Sequence, residues 1–257
     1  MGGTTTTEES VATAEEAIVV LAEQRPTTLR LVPNRAGLRP GDDSHDLTIV
    51  LDKVLASVHP SKRHVVWSTT IQEIVAHLSG LTTLTIERLP LHSEALATMV
   101  AGCPDLRSLT LQACEIDDAA LQAVVEGLPN LTHLDLGNNG IGVVGARVIA
   151  GRLPNLTHLD LGNNGIGVVG ARVIAEGLPN LTTLNLWSNG IGDDGARVIA
   201  EGLPNLTPLN LGNNGIGVAG TRVIAGRLPN LIDLTLGNNQ IGEVGARVIA
   251  EIGRAHV

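Results

Sequence analysis

LTHLDLGNNGIGVVGARVIAGRLPN, Leu131 to Asn155, returns as LTHLDLGNNGIGVVGARVIAEGLPN from Leu156 to Asn180, with only Gly151 and Arg152 replaced, by Glu176 and Gly177. The unit recurs from Leu181, Leu206 and Leu231, and weaker copies begin at Leu106 and Leu81, always 25 residues apart. Self-similarity at such a period marks a solenoid, in which each unit buries its apolar face only by stacking on its neighbours.

Within a unit the pattern LxxLxLxxNxI sets Leu131, Leu134, Leu136, Asn139 and Ile141, followed by Gly145, Ala146, Ile149, Ala150 and Leu153. This resembles the leucine-rich repeat signature over residues 81–251. The stretch Ile141-Gly142-x-x-Gly145-Ala146-x-x-Ile149-Ala150 is most similar to the variant with a helix in every repeat, as in ribonuclease inhibitor and the sensor regions of innate immune receptors. The resemblance implies an α/β leucine-rich repeat horseshoe, with a parallel sheet on the concave face and helices on the convex face. It also implies a protein partner on the concave side. The activators of the small nuclear GTPase Ran are built from similar repeats, so the alternative it implies is a GTPase-activating protein; accelerated GTP hydrolysis would be its signature.

The rest of the composition fits such an array. With no Phe, no Tyr and only Trp67 and Trp187, the core of this 257-residue chain must be aliphatic. Net charge is −9, but the acidity is concentrated early: residues 131–257 hold 9 acids against 8 bases. No basic face of the kind that phosphate neutralisation needs is present, which argues against a nucleic-acid partner. No apolar run reaches membrane-spanning length, which argues against insertion in a bilayer. Cys103 stands where the next unit has Leu128, and Cys114 where it has Asn139. Two cysteines in structural positions read as buried thiols, and with no signal-peptide pattern they predict a cytoplasmic chain.

Residues 1–7, MGGTTTT, are polar and glycine-rich and are expected to be disordered. Residues 8–80 read as an N-terminal cap containing a degenerate repeat. The spacing predicts helices over 8–24 and 46–58, a strand over 27–31, and a last strand and helix at HVVW, 64–67, and TTIQEIVAHLSG, 69–80. About seven 25-residue units then fill 81–251. Residues 252–257 break the repeat in mid-unit and coincide with the translated sequence of a common sequencing adapter. They are therefore expected to be non-native, with the true C-terminus elsewhere and the last aliphatic layer open to self-association.

In each unit LxLxx alternates inward leucines with outward residues, as a strand requires. Asn139, Asn164, Asn189, Asn214 and Asn239 fall at the turn leaving the strand, where an amide offers both donor and acceptor to buried backbone; they read as a structural ladder. Strands stack about 4.8 Å apart and helices usually about 8–10 Å, so the small residues Gly145, Ala146 and Ala150 should let the helices approach.

The outward strand positions form two polar columns, and these carry the candidate binding residues His133, Asp135, His158, Asp160, Asn185 and Asn210. Trp187 replaces the glycine that other central repeats hold at 137, 162, 212 and 237. It either anchors a partner, as exposed tryptophans often do, or folds over the glycine gaps to cover its neighbours. His133, Asp135, His158 and Asp160 are of metal-ligating type, but duplication of one unit creates such a set automatically, so no metal is assigned. Arg147, Arg172, Arg197, Arg222 and Arg247 read as a solvated helix face. Asn-Leu-Thr at Asn130, Asn155, Asn180 and Asn205 reads as a by-product of the repeat. No nucleophile elbow, phosphate-binding glycine loop or HExxH occurs, so the expectation is a binding module, with neither enzymatic activity nor a cofactor.

Overall fold

In the computed structural model the described residues are 7–10, 28–32, 47–50, 80–91 and 93–255. The chain divides into two compact units, Met1–Leu131 and Thr132–Val257.

In the first unit the strands are β1 (Thr7–Ser10), β2 (Thr28–Val32), β3 (Leu47–Val50), β4 (Thr83–Glu87) and β5 (Ser108–Gln112), all parallel, in the order β1-β3-β2-β4-β5. The strand beside the first repeat is therefore β2, with Leu29 opposite Leu84. The expected strand near 27–31 is present. Leu47–Val50 is a strand and not the start of a helix. Its LTIV run contains three β-branched residues, and pairing with β1 and β2 fixes the extended form that local apolar spacing alone did not reveal. Thr7 to Ser10 is likewise extended. The remainders of both predicted helices, the strand at 64–67 with Trp67, nearly all of the helix after it, and residues 256–257 lie outside the described residues.

Helices α1 (Ser93–Gly102) and α2 (Asp118–Gly127) follow β4 and β5. Asp117 caps α2, its carboxylate accepting the Ala120 N–H at 2.7 Å. Leu84, Ile86, Leu109, Leu111, Met99 and Val124 form the aliphatic core, and Cys103 and Cys114 are buried within it and not joined in a disulfide.

The second unit contains β6 (His133–Asp135), β7 (His158–Asp160), β8 (Thr183–Asn185), β9 (Pro208–Asn210) and β10 (Asp233–Thr235), alternating with α3 (Gly142–Arg152), α4 (Gly167–Gly177), α5 (Gly192–Gly202), α6 (Val218–Arg227) and α7 (Gly242–Ala255). Strands pair in parallel with every residue opposite its equivalent 25 positions on. Three residues are short for a strand, but the ladder continues into the turn, where Leu136 N–H donates to Asp160 O and Asn138 N–H to Gly162 O. One leucine layer lies under the strands, and Ala146, Ala171 and Ala196 are fully buried between sheet and helices. Small residues do bring the helices together: a methyl at Gly177 would stand 2.7 Å from Ala150 Cβ, and one at Gly202 2.8 Å from Ala175 Cβ. Among the described residues no helix is long and apolar enough to cross a membrane.

Candidate functional site on the sheet face

Three of the ladder asparagines, Asn164, Asn189 and Asn214, share one complete geometry. Asn189 Oδ1 accepts the N–H groups of Asn164 and Ile166 at 3.2 and 3.0 Å, while its Nδ2 donates to the carbonyls of Leu161 and Trp187 at 2.8 and 3.1 Å. Asn164 and Asn214 repeat the arrangement, and all three are nearly inaccessible to water. Asn139 donates to Leu136 O, and Asn239 accepts from Asn214 and Ile216. Cys114 takes the equivalent place in the first unit, its Sγ reaching Ile86 O at 3.3 Å, so the thiol supplies the donor and a poor acceptor.

Two further ladders escaped the sequence reading. Thr157, Thr182 and Thr207 each donate Oγ1–H to the carbonyl of the threonine one repeat earlier, at 3.1–3.3 Å. The threonine of the Asn-Leu-Thr triplet is thus a rung; its exact recurrence was the available signal. Asn163 Nδ2 likewise donates to Asn138 Oδ1 at 2.9 Å, between residues that share a left-handed backbone with φ 55° and 60°. Asparagine tolerates that conformation better than most side chains.

The candidate binding residues come together on the outward face of β6 to β9. His133 stands opposite His158, and Asp135 opposite Asp160. Each column carboxylate or amide also closes its own turn: Asp135, Asp160, Asn185 and Asn210 accept the N–H two residues ahead, from Gly137, Gly162, Trp187 and Gly212, at 2.8–3.0 Å. That scaffolding role needs only an acceptor oxygen, so Asp and Asn serve it equally. The choice between them is left to set charge.

The two imidazoles stack with centroids 3.9 Å apart and planes 17° from parallel. Thr157 has one hydroxyl hydrogen, spent on Thr132 O, so His158 Nδ1, 2.8 Å from Oγ1, is the donor of that pair and Nε2 is left as acceptor. Burial lowers both histidines below the usual imidazole range, and the charge of His133 lowers His158 further. Parallel rings do not converge their nitrogens on one point, and among the described residues no group of three or more His, Cys, Asp or Glu could hold a metal ion.

Asp160 is held above the usual carboxylate range by burial, against the opposing effects of the Gly162 N–H and of the Asn185 amide, whose Nδ2 donates to Oδ2 at 2.7 Å. Trp187 folds over one of the glycine gaps. Its Cδ1 would lie 2.8 Å from a methyl placed on Gly212, so the ring rests on that glycine, yet 40% of the residue remains exposed.

Residues 129–191 and 202–225 match leucine-rich repeat families. Among solved structures the chain is similar to an internalin (inlF) from Listeria monocytogenes, with TM-score 0.51 and 25% sequence identity. The match covers 71% of this chain and 54% of that one, so the chain spans about half the length of the structure it resembles. No curated protein matches. With the repeat register and asparagine ladder above, these findings make the chain a leucine-rich repeat protein, with the α/β solenoid fold of that class.

Proposed function

We propose that the second unit docks a partner protein on its sheet face, with Trp187 as the anchor. Leucine-rich repeat domains generally serve protein–protein interaction. The observation that carries the reading is the half-exposed indole of Trp187 on a face otherwise made of small and polar groups, which also carries the stacked His133 and His158 and the column Asp135, Asp160, Asn185 and Asn210. A large ring already resting on Gly212 loses little side-chain freedom when a partner covers it.

The test is capture of a partner from a source lysate, followed by measurement of its affinity for three forms of the chain. Trp187→Ala should weaken binding at least about tenfold, the scale of an interface hot spot. Arg147→Glu with Arg222→Glu, on the helix side, should leave it unchanged. The opposite pattern removes the sheet face from consideration.

Self-association is a second reading, favoured by the last coil. Leu231, Leu234, Ile241 and Ile249 are only half-buried, although Leu206, Leu209, Ile216 and Ile224 in the coil before are buried, and Ile232 is 88% exposed. Such a layer fits a second copy of the chain. Light scattering over a concentration series should show growth in mass that Ile232→Thr reduces; an unchanging monomer excludes it.

A further inference from the structure

Charge is distributed unevenly across the second unit. From Arg147 onward every arginine of the chain lies on a helix, and there is no lysine. The outward strand positions of β6 to β10 carry three carboxylates, Asp135, Asp160 and Asp233, and no arginine or lysine at all. The two histidines on the same face are neutral at pH 7, since burial lowers both of them. The face is thus anionic in a unit whose two signs otherwise nearly balance.

The geometry gives that charge a definite setting. Asp135 and Asp160 sit in register on adjacent strands, about 4.8 Å apart along the sheet. Asp160 Oδ1 and Oδ2 are held by the Gly162 N–H and the Asn185 amide, both neutral donors. Neither cancels the charge. Beyond the carboxylates the strand-end positions are Gly162, Gly212 and Gly237, with no side chain to fill the surface, and Trp187 rises between them. An extended segment laid along these positions would meet an aromatic face at one repeat and paired carboxylates one and two repeats away.

We infer that the segment docking on this face is basic: a stretch of protein that places an arginine or lysine over Asp135 and Asp160 and an apolar or cationic side chain against Trp187. The inference rests on the docking reading above and adds the chemistry of the partner. Guanidinium suits both ends of such a site, since it pairs with carboxylates through two N–H groups and stacks on indole. An acidic segment would instead bring like charges together over a poorly solvated carboxylate.

The repeats supply their own controls. β8 and β9 hold Asn185 and Asn210 at the positions of Asp135 and Asp160, with the same turn closed by the same oxygen. Asp135→Asn with Asp160→Asn therefore keeps the turn and removes the charge, and Asn210→Asp adds one.

The probes are three synthetic peptides of equal length and equal leucine content, whose remaining positions are arginine, glutamine or glutamate, measured by fluorescence anisotropy against the full chain at low and physiological salt. The arginine peptide should bind at least about tenfold more tightly than the glutamine peptide at low salt, with the gap narrowing as salt screens the charges. The double asparagine variant should abolish that preference and Asn210→Asp should enlarge it. Equal binding of the arginine and glutamine peptides, or a preference that survives the double variant, overturns the inference. A glutamine peptide that binds and is lost in Trp187→Ala leaves the docking reading standing without its charge; no binding by any peptide overturns both.

Discussion

At the scale of single residues, the asparagine ladder shows why one side-chain type recurs five times. The turn leaving each strand buries two N–H groups and two carbonyls of neighbouring coils, and a primary amide answers all four. Asn189→Ala should leave these groups unpaired in a site closed to water and cost about 3 kcal/mol of stability, at the upper end for unsatisfied buried backbone groups. Asn239→Ala, on the half-open last coil, should cost roughly 1 kcal/mol because water can replace part of the lost pairing. Urea unfolding of the two variants checks the contrast; equal losses would mean that the ladder does not act through burial. This role was legible before any coordinates because identical repeats force identical environments on the asparagines. The turn-closing role of Asp135 and Asp160 was not legible, since a polar residue on an outward strand position reads as surface whether or not its oxygen is used.

The informative elements are those that break the repeat. In α3, α4 and α5 the first N–H is satisfied by the next coil: Gly142 donates to Asn164 O, Gly167 to Asn189 O and Gly192 to Asn214 O. α6 departs from this because position 240 is Gln where its equivalents Gly140, Gly165, Gly190 and Gly215 have φ between 66° and 77°. A glutamine side chain disfavours that left-handed backbone. Gln240 instead turns its N–H onto Ile216 O at 2.7 Å, and Gly217 takes an extended conformation with its N–H on Asp193 Oδ1 at 2.7 Å. Asp193 also accepts the Gly220 N–H at 2.9 Å, so a carboxylate on α5 caps α6 across the coil boundary. Asp193→Val, the residue found at 143, 168 and 218, should cost about 1–2 kcal/mol, as loss of an N-cap does. In a chain that also carries Gln240→Gly the cost should shrink, because the ordinary bond from Gly217 to Asn239 O becomes available. A double-mutant cycle that finds no coupling would refute this account. Nothing in a linear reading links residues 193 and 240. For the same reason β3 escapes a local reading, since its pairing partners lie 40 and 18 residues earlier in the chain, Thr7 and Leu29 standing opposite Leu47.

For the molecule as a whole, the repeat register was open to sequence reading because period alone fixes which residues stack, and the outward columns followed from strand alternation. Their electrostatics depend on depth, which period does not give. Burial lowers both His133 and His158, so the unfolded chain takes up protons at these sites before the folded chain does. Stability contributed by the neutral pair is complete above about pH 6.5 and is lost as pH falls through the interval from there down to the lowered folded values. Asp160 acts in the opposite sense: its folded value is raised, so stability increases as pH falls through that value toward the ordinary carboxylate range. The charged groups facing the pair within the second unit are Asp135 and Asp160 on β6 and β7, while β8 presents only neutral Thr183 and Asn185. The urea midpoint should accordingly drop between pH 7 and pH 5. His133→Thr with His158→Thr copies what β8 already holds at Thr183 and should flatten that part of the curve, while the histidines elsewhere in the chain contribute equally to both proteins. If the histidine-free variant keeps the full drop, the stacked pair is not its source. If it flattens, the surface that carries Asp135 and Asp160 also becomes less anionic as the imidazoles charge, and affinity for a basic segment should fall over the same pH interval.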